Sequence, residues 1–309
     1  MSGRVCIGFD LDETLGNVHP FYPFIAIFRP SAVGITPPDS LKYQLQNAYE
    51  IFLMYCIKQE DRGLGILRPG ITDFLRNVTY KQAEGLVGPV IIYSNNSCLE
   101  LLEFARDIVH QSVGEVFCAL IDRNHPIRRL PGHPNPPKTW DTLDEIFRME
   151  DCAEYSPNPQ PETSLFFDDL EHPDLQRVLG KNYIHVPGYK KHIPSAIKFD
   201  LYFAAAKRAG LLDNPDFFNY IHSICDETGY NAVDFLKQKK TAKNIRINAS
   251  NINSSNMVNA LNRIVRTNNV NDAPYYVPSG NNLFFGNLAG GRRTRKLRRR
   301  KMTRRNRKN

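Results

Sequence analysis

A chain of 309 residues, 41% hydrophobic and 23% charged, is long enough for one sizeable core with appendages. The net charge of +8 sits in one place. Residues 292–309 hold 12 of the 40 Lys and Arg and no acid, so the rest carries 28 basic against 32 acidic side chains, a net of −4. No run of about 18 apolar residues occurs, which excludes a helical membrane span and a membrane partner by that route.

The chain enters its first apolar run, Val5-Cys6-Ile7-Gly8-Phe9, with no leader before it, and that run reads as a buried strand. Asp10 and Asp12 follow at its carboxyl end, where open α/β sheets bind ligands. Residues 17–66 read as an insertion. They open on His19-Pro20-Phe21-Tyr22-Pro23 and continue in a helix over about Ser40 to Gln59, with Leu41, Leu45, Ala48, Phe52, Tyr55 and Cys56 at helical spacing. A second apolar run, Val90–Tyr93, ends in Ser94-Asn95-Asn96, which also suits a helix cap before Leu99. Helix over Leu99–Val109, strand over Glu115–Ile121 and helix over Trp140–Arg148 come next, with Lys138 just before the last of these. A third apolar run, Leu165–Phe167, ends in Asp168-Asp169, and Asn182–Val186 reads as a late strand. The alternation predicts an α/β fold with a doubly wound parallel sheet.

Beyond the core, 193–243 reads as a helical appendage, with helices over Ala196–Ala209, Pro215–Glu227 and Ala232–Gln238. Its aromatic stripe Phe217, Phe218, Tyr220 reads as core rather than as a ligand site. Residues 244–289 hold 13 Asn and read as a linker, with room for a short helix near Asn256–Arg266. Residues 290–309 read as a basic tail too charged to fold alone, suited to nucleic acid or an acidic partner. The six cysteines (6, 56, 98, 118, 152, 225) form no Cys-x-x-Cys pair. They read as reduced core thiols of an intracellular protein, cytoplasmic or nuclear, and not as a zinc site.

Three strands that each deliver polar groups at one edge are parts for phosphoryl transfer. The order Asp-x-Asp-x-Thr, Ser-Asn, Lys, Asp-Asp resembles that of the haloacid-dehalogenase (HAD) superfamily. Asp10-Leu11-Asp12-Glu13-Thr14-Leu15, with Leu67-Arg68-Pro69-Gly70-Ile71-Thr72-Asp73-Phe74-Leu75, is most similar to its carboxyl-terminal-domain and NLI-interacting-factor-like (FCP/SCP-type) phosphatases. The resemblance covers roughly residues 3–190 of a core domain read over 1–192, with 17–66 in the place of a flap or small cap. That branch carries short strands there, so a helical insert is a departure. The Gly-Gly-Arg-rich end also resembles tails on proteins of large DNA viruses, a setting of virion or infected cell.

The resemblance implies a HAD-like Rossmannoid core and a Mg²⁺-dependent phosphatase working through an aspartyl-phosphate. Asp10 would be the nucleophile, Asp12 the acid and base, and Lys138 the charge holding Asp10, with Arg128, Arg129 and Lys190 as nearby candidates for that charge. Ser94, Asn95 and Thr14 would bind the substrate, Ser94 at a phosphoryl oxygen, and Thr14 would also stabilise the turn and the orientation of Asp12. Asp10, Asp12 (through its carbonyl), Asp168 and Asp169 would bind Mg²⁺. The implied substrate is a phosphoserine or phosphothreonine protein. Two alternatives stay open: a phosphatase of nucleic-acid ends or small metabolites, and a silent HAD-fold binding protein recruited by its tail.

Overall fold

The computed structural model describes residues 4–129, 136–155, 158–229 and 255–268, all within one unit spanning Met1–Val270. Five strands lie side by side in the order β3-β2-β1-β4-β5 and every pairing is parallel. They are β1 (Val5–Phe9), β2 (Val87–Tyr93), β3 (Ala119–Ile121), β4 (Ser164–Asp168) and β5 (Tyr183–His185). Every residue of β1, β2 and β4 is buried, the signature of a parallel sheet covered on both faces.

Alternation along the strands sorts side chains between two apolar layers. Ile7, Phe9, Val90, Ile92, Leu165 and Phe167 face one layer, which includes buried residues of α3 (Ile71–Ala83) and α4 (Leu99–Val113). Cys6, Ile91, Tyr93 and Phe166 face the other, with α5 (Trp140–Phe147) and α6 (Pro173–Leu179). The sheet is therefore doubly wound, as the alternation predicts. Gly8 is required by this packing: a Cβ there would stand 2.6 Å from the Phe166 ring.

The insertion forms α1 (Tyr22–Phe28) and α2 (Asp39–Glu60), and the appendage forms α7 (Ser195–Arg208) and α8 (Pro215–Thr228). These pack on one another. Phe24 and Phe28 of α1 meet Tyr202 of α7 at 5.5 and 5.2 Å between ring centres, and Tyr220 of α8 donates to the Ile27 carbonyl at 2.7 Å. Phe52 of α2 meets Phe104 of α4 at 6.1 Å, which ties this layer to the core. In the aromatic stripe, Phe217 and Tyr220 are buried and Phe218 is exposed.

The Asn-rich stretch contains α9 (Ser255–Asn268), with Met257, Ala260, Leu261 and Ile264 buried on one side. Arg263 there donates to the Lys181 carbonyl at 2.8 Å, beside β5. The reading of Ala232–Gln238 as helix, and the basic tail, lie outside the described residues. Among the described residues no helix is long and apolar enough to cross a membrane.

The structure corrects the reading of all six cysteines as free thiols. Cys118 and Cys152 form a disulfide. Their separation of 34 residues hides the pairing from any local motif, but Cys118 leads into β3 and Cys152 lies in the 3-10 turn Glu150–Tyr155 packed near β2. The fold brings their Cα atoms to 5.3 Å, within bridging reach. Cys6, Cys56, Cys98 and Cys225 are free and buried.

Candidate active site

Parallel pairing puts the carboxyl ends of β1, β2, β3 and β4 on one edge, so the polar groups after each strand converge. Asp10 leaves β1 held by its own N–H, which donates to the Phe167 carbonyl at 2.8 Å. Ser94 leaves β2 held by the Ile121 carbonyl at 2.9 Å. An open cleft of about 620 Å³ is lined here by Asp10, Asp12, Ser94, Asn96, Arg123 and Asp169, with Asn95, His19, Glu13, Gly188 and Lys190 among its other walls.

Lys138 lies beneath the cleft, 1% exposed. Its Nζ donates to Asp10 Oδ1 at 2.5 Å and to Asp168 Oδ2 at 2.7 Å, over the rings of Tyr93 and Phe166. The Thr139 side chain caps α5 by accepting the Thr142 N–H at 3.3 Å, which fixes the base of the lysine. Burial works against the ammonium, but Asp10 and Asp168 outweigh it and hold Lys138 above its ordinary pKa. Burial raises the Asp10 pKa despite the lysine, with Asp168 adding to the rise. Asp168 moves the other way: burial is outweighed by His172, whose Nε2 lies 3.2 Å from Asp168 Oδ2, and by Lys138, so its carboxyl sits low.

Asp12 turns to the cleft. Its Oδ2 accepts from Asn96 Nδ2 at 2.9 Å, while Oδ1 is buried without a hydrogen-bond partner among the described residues. Burial raises the Asp12 pKa, only partly offset by Asn96 and His19. Asp169 is likewise raised by burial, against the pull of Thr14.

Thr14 is fully buried and stands outside the cleft lining. Its hydroxyl donates to Asp169 Oδ1 at 3.1 Å, so it positions a carboxylate rather than reaching a substrate. The turn that carries it is clamped by Arg68 of the Arg-Pro-Gly segment. That guanidinium donates to the carbonyls of Thr14 at 2.7 Å, Glu13 at 2.5 Å and Pro187 at 2.6 Å. Glu13 has φ 59°, a left-handed conformation rare for a side chain of its kind, and the clamp holds it there.

The Ser94–Asn96 stretch forms a local turn rather than capping α4. The Asn96 N–H donates to Ser94 Oγ at 3.1 Å and Asn96 Oδ1 accepts the Cys98 N–H at 2.9 Å. The cap position of α4 itself is Cys98 and no side chain closes it. Arg128, 2% exposed, props this turn from behind, donating to the Ser94 carbonyl at 2.6 Å and Asn95 Oδ1 at 2.7 Å. Arg123 supports the site without any mark in its sequence context, and Asn96, Arg68 and Arg128, though near or within the motifs, take roles that sequence context does not assign them. Their partners lie 28 to 84 residues away, or are backbone carbonyls with no sequence signature.

The oxygens of Asp10, Asp168 and Asp169 lie within 4.8 Å of one another and could hold a metal ion. The donor set fits a hard divalent cation such as Mg²⁺, which takes few carboxylates and several waters. Asp10 Oδ2 and Asp169 Oδ2 have no protein hydrogen bond among the described residues, whereas both Asp168 oxygens are engaged, Oδ1 by the Leu170 N–H at 2.8 Å and Oδ2 by Lys138. Gly188 keeps space open there, since a Cβ would come within 3.5 Å of Asp169 Oδ2 and 2.6 Å of Glu13 Oε2. From the insertion, His19 alone among the described residues lines the cleft, so α1 and α2 do not roof it.

No family model matches the chain, and no curated protein or solved structure gives a significant match.

Proposed function

We propose that this chain is a Mg²⁺-dependent phosphatase of the HAD superfamily that hydrolyses a phosphomonoester through Asp10. The observation that carries the reading is the Lys138 bridge. It ties up one oxygen of Asp10 and leaves the other free at the floor of a polar cleft, beside a raised-pKa Asp12.

The chemistry then divides among the chain's own side chains. Asp10 Oδ2 attacks phosphorus, and the P–O bond to the leaving group breaks. Asp12, kept protonated more readily by burial, gives its proton to the leaving oxygen. Asp12 then takes a proton from water, which attacks phosphorus and frees Asp10 and inorganic phosphate. Ser94 and the N–H groups of its turn steady the phosphoryl oxygens. Mg²⁺, held by Asp10, Asp169 and the Asp12 carbonyl with Asp168 behind them, would offset charge on the transferring group. Lys138 and Asp168 keep Asp10 in place, and Asn96 orients Asp12.

The open cleft favours a phosphate projecting from a larger molecule, such as a phosphoserine or phosphothreonine side chain. Hydrolysis of an aryl phosphate with and without Mg²⁺ tests the assignment. Activity should need the metal and vanish in Asp10→Asn. Full metal-dependent activity in Asp10→Asn would overturn it.

A further inference from the structure

We propose that Arg123 forms a second anion subsite, and that the substrate is a phosphomonoester bearing another negative group next to the scissile phosphate. The inference takes the phosphoryl position from the phosphatase reading and adds to it.

Arg123 lies two residues past β3, and its backbone N–H donates to the Asn96 carbonyl at 2.8 Å. Its Nε donates to the Asn95 carbonyl at 2.7 Å. Both bonds fix it to the same turn that carries Ser94 and Asn96. The two terminal nitrogens have no hydrogen-bond or ion-pair partner among the described residues, and the side chain lines the cleft. This sets Arg123 apart from Arg29, Arg76, Arg106, Arg148 and Arg177, each of which meets a carboxylate. Arg128 next to it is buried and spends its terminal nitrogens on protein oxygens.

A half-buried guanidinium held at Nε has already lost much of its freedom. Its outer edge then presents parallel donors that match a carboxylate or phosphate in bidentate fashion. Position decides which anion it meets. β3 stands two strands from β1, a lateral step of about 10 Å. Arg123 therefore faces a group beside the attacked phosphorus. On the other flank Lys190 also lines the cleft, but Glu13 Oε2 lies 3.3 Å from its Nζ and offsets its charge. The uncompensated cation is on the β3 side.

Two sources offer that second anion: an acidic or phosphorylated residue next to a phosphoserine, or the second phosphate of a small bisphosphate. The test uses two pairs of probes. One is a phosphoserine peptide flanked by alanines against the same peptide with a glutamate beside the phosphoserine. The other is butyl phosphate against butane-1,4-diol bisphosphate. Hydrolysis is measured with Mg²⁺, and binding by calorimetry without it, for wild type, Arg123→Gln and Arg123→Lys. Wild type should prefer the doubly charged member of at least one pair by about tenfold or more. The preference should fall to near parity in Arg123→Gln and return in part in Arg123→Lys. Circular dichroism shows that each variant folds, and the preference is a ratio within one pair, so a loss common to both members cancels. Preference confined to one pair supports the proposal and names the source. A preference that survives Arg123→Gln, or none in wild type, overturns it. If nothing is hydrolysed, the phosphatase reading fails, and the calorimetric preference still decides on Arg123.

Discussion

Lys138 Nζ, shut away from water, stands 2.5 Å from Asp10 Oδ1 where that carboxylate meets the cleft floor, and the same ammonium reaches Asp168 at 2.7 Å. A buried cation between two carboxylates is costly to build and costlier to break, because either partner left alone is an uncompensated buried charge. Lys138→Met should therefore cost roughly 3–5 kcal/mol of stability as well as activity. Urea denaturation reads the loss. Adding Asp10→Asn to Lys138→Met removes one orphaned charge and should recover part of it. A double variant no more stable than Lys138→Met would show that the cost lies elsewhere.

Asn96 offers a test of Asp12. Its Nδ2 bond to Asp12 Oδ2 pulls the carboxyl pKa down against burial. Removing it in Asn96→Ala should raise that pKa further, so the alkaline limb of the kcat/KM profile, where Asp12 loses the proton it gives the leaving group, should move to higher pH, with kcat/KM falling about tenfold or more. The Asn96 Oδ1 bond to the Cys98 N–H is lost too, which should cost about 1 kcal/mol. An unmoved limb would mean that Asp12 is not the group being titrated.

His110 gives the fold a pH dependence of its own. Its Nε2 accepts the N–H groups of Val116 and Phe117 at 3.2 and 3.3 Å, so it serves as a neutral ring. Burial, helped by Arg106, holds its pKa below the ordinary histidine value. The unfolded chain therefore binds this proton more readily. The stabilisation is complete above the ordinary histidine range and is lost as pH falls through it toward the folded value. His110→Gln keeps an acceptor that does not titrate. Between about pH 7.5 and pH 5.5, wild type should lose more denaturation midpoint than His110→Gln. Equal losses would sink the assignment.

The Cys118–Cys152 bridge closes a loop of 34 residues that carries Asp122, Arg123, Arg128 and Lys138. Replacing both cysteines by alanine should cost about 2–4 kcal/mol. A thiol reductant should bring wild type down to the double variant's stability and leave the variant unaffected. Reductant acting equally on both proteins would place its effect outside this bridge.

The strands were legible because each is a short, nearly unbroken apolar run, which is what burial on both faces demands. The groups at their ends followed: Asp10, Asp12, Ser94, Asp168 and Asp169 gather around one edge, and Lys138 joins them from the start of α5. The apolar pattern carries a strand back to Glu115, but β3 starts at Ala119: Val116 and Phe117 are buried, yet their N–H groups bond a histidine ring instead of a strand. The helix α9 shows its Met257, Ala260, Leu261 and Ile264 spacing only when the surrounding Asn residues are ignored. The roles of the supporting cations stayed hidden for a different reason. Arg68 and Arg128 bond mainly backbone carbonyls, which every residue has, so no side-chain pattern announces those bonds.

β1 is the innermost strand, paired on both sides, whereas β3 lies at an edge and is three residues long. Amides of an innermost strand exchange with solvent only when the whole molecule opens, while an edge can fray by itself. Asp10 is thus anchored to the last segment to be released, and Arg123 to one of the first. Under mild denaturant, grip on the far end of a ligand would weaken while the floor of the cleft kept its geometry, so recognition and reactivity would be lost at separate denaturant concentrations.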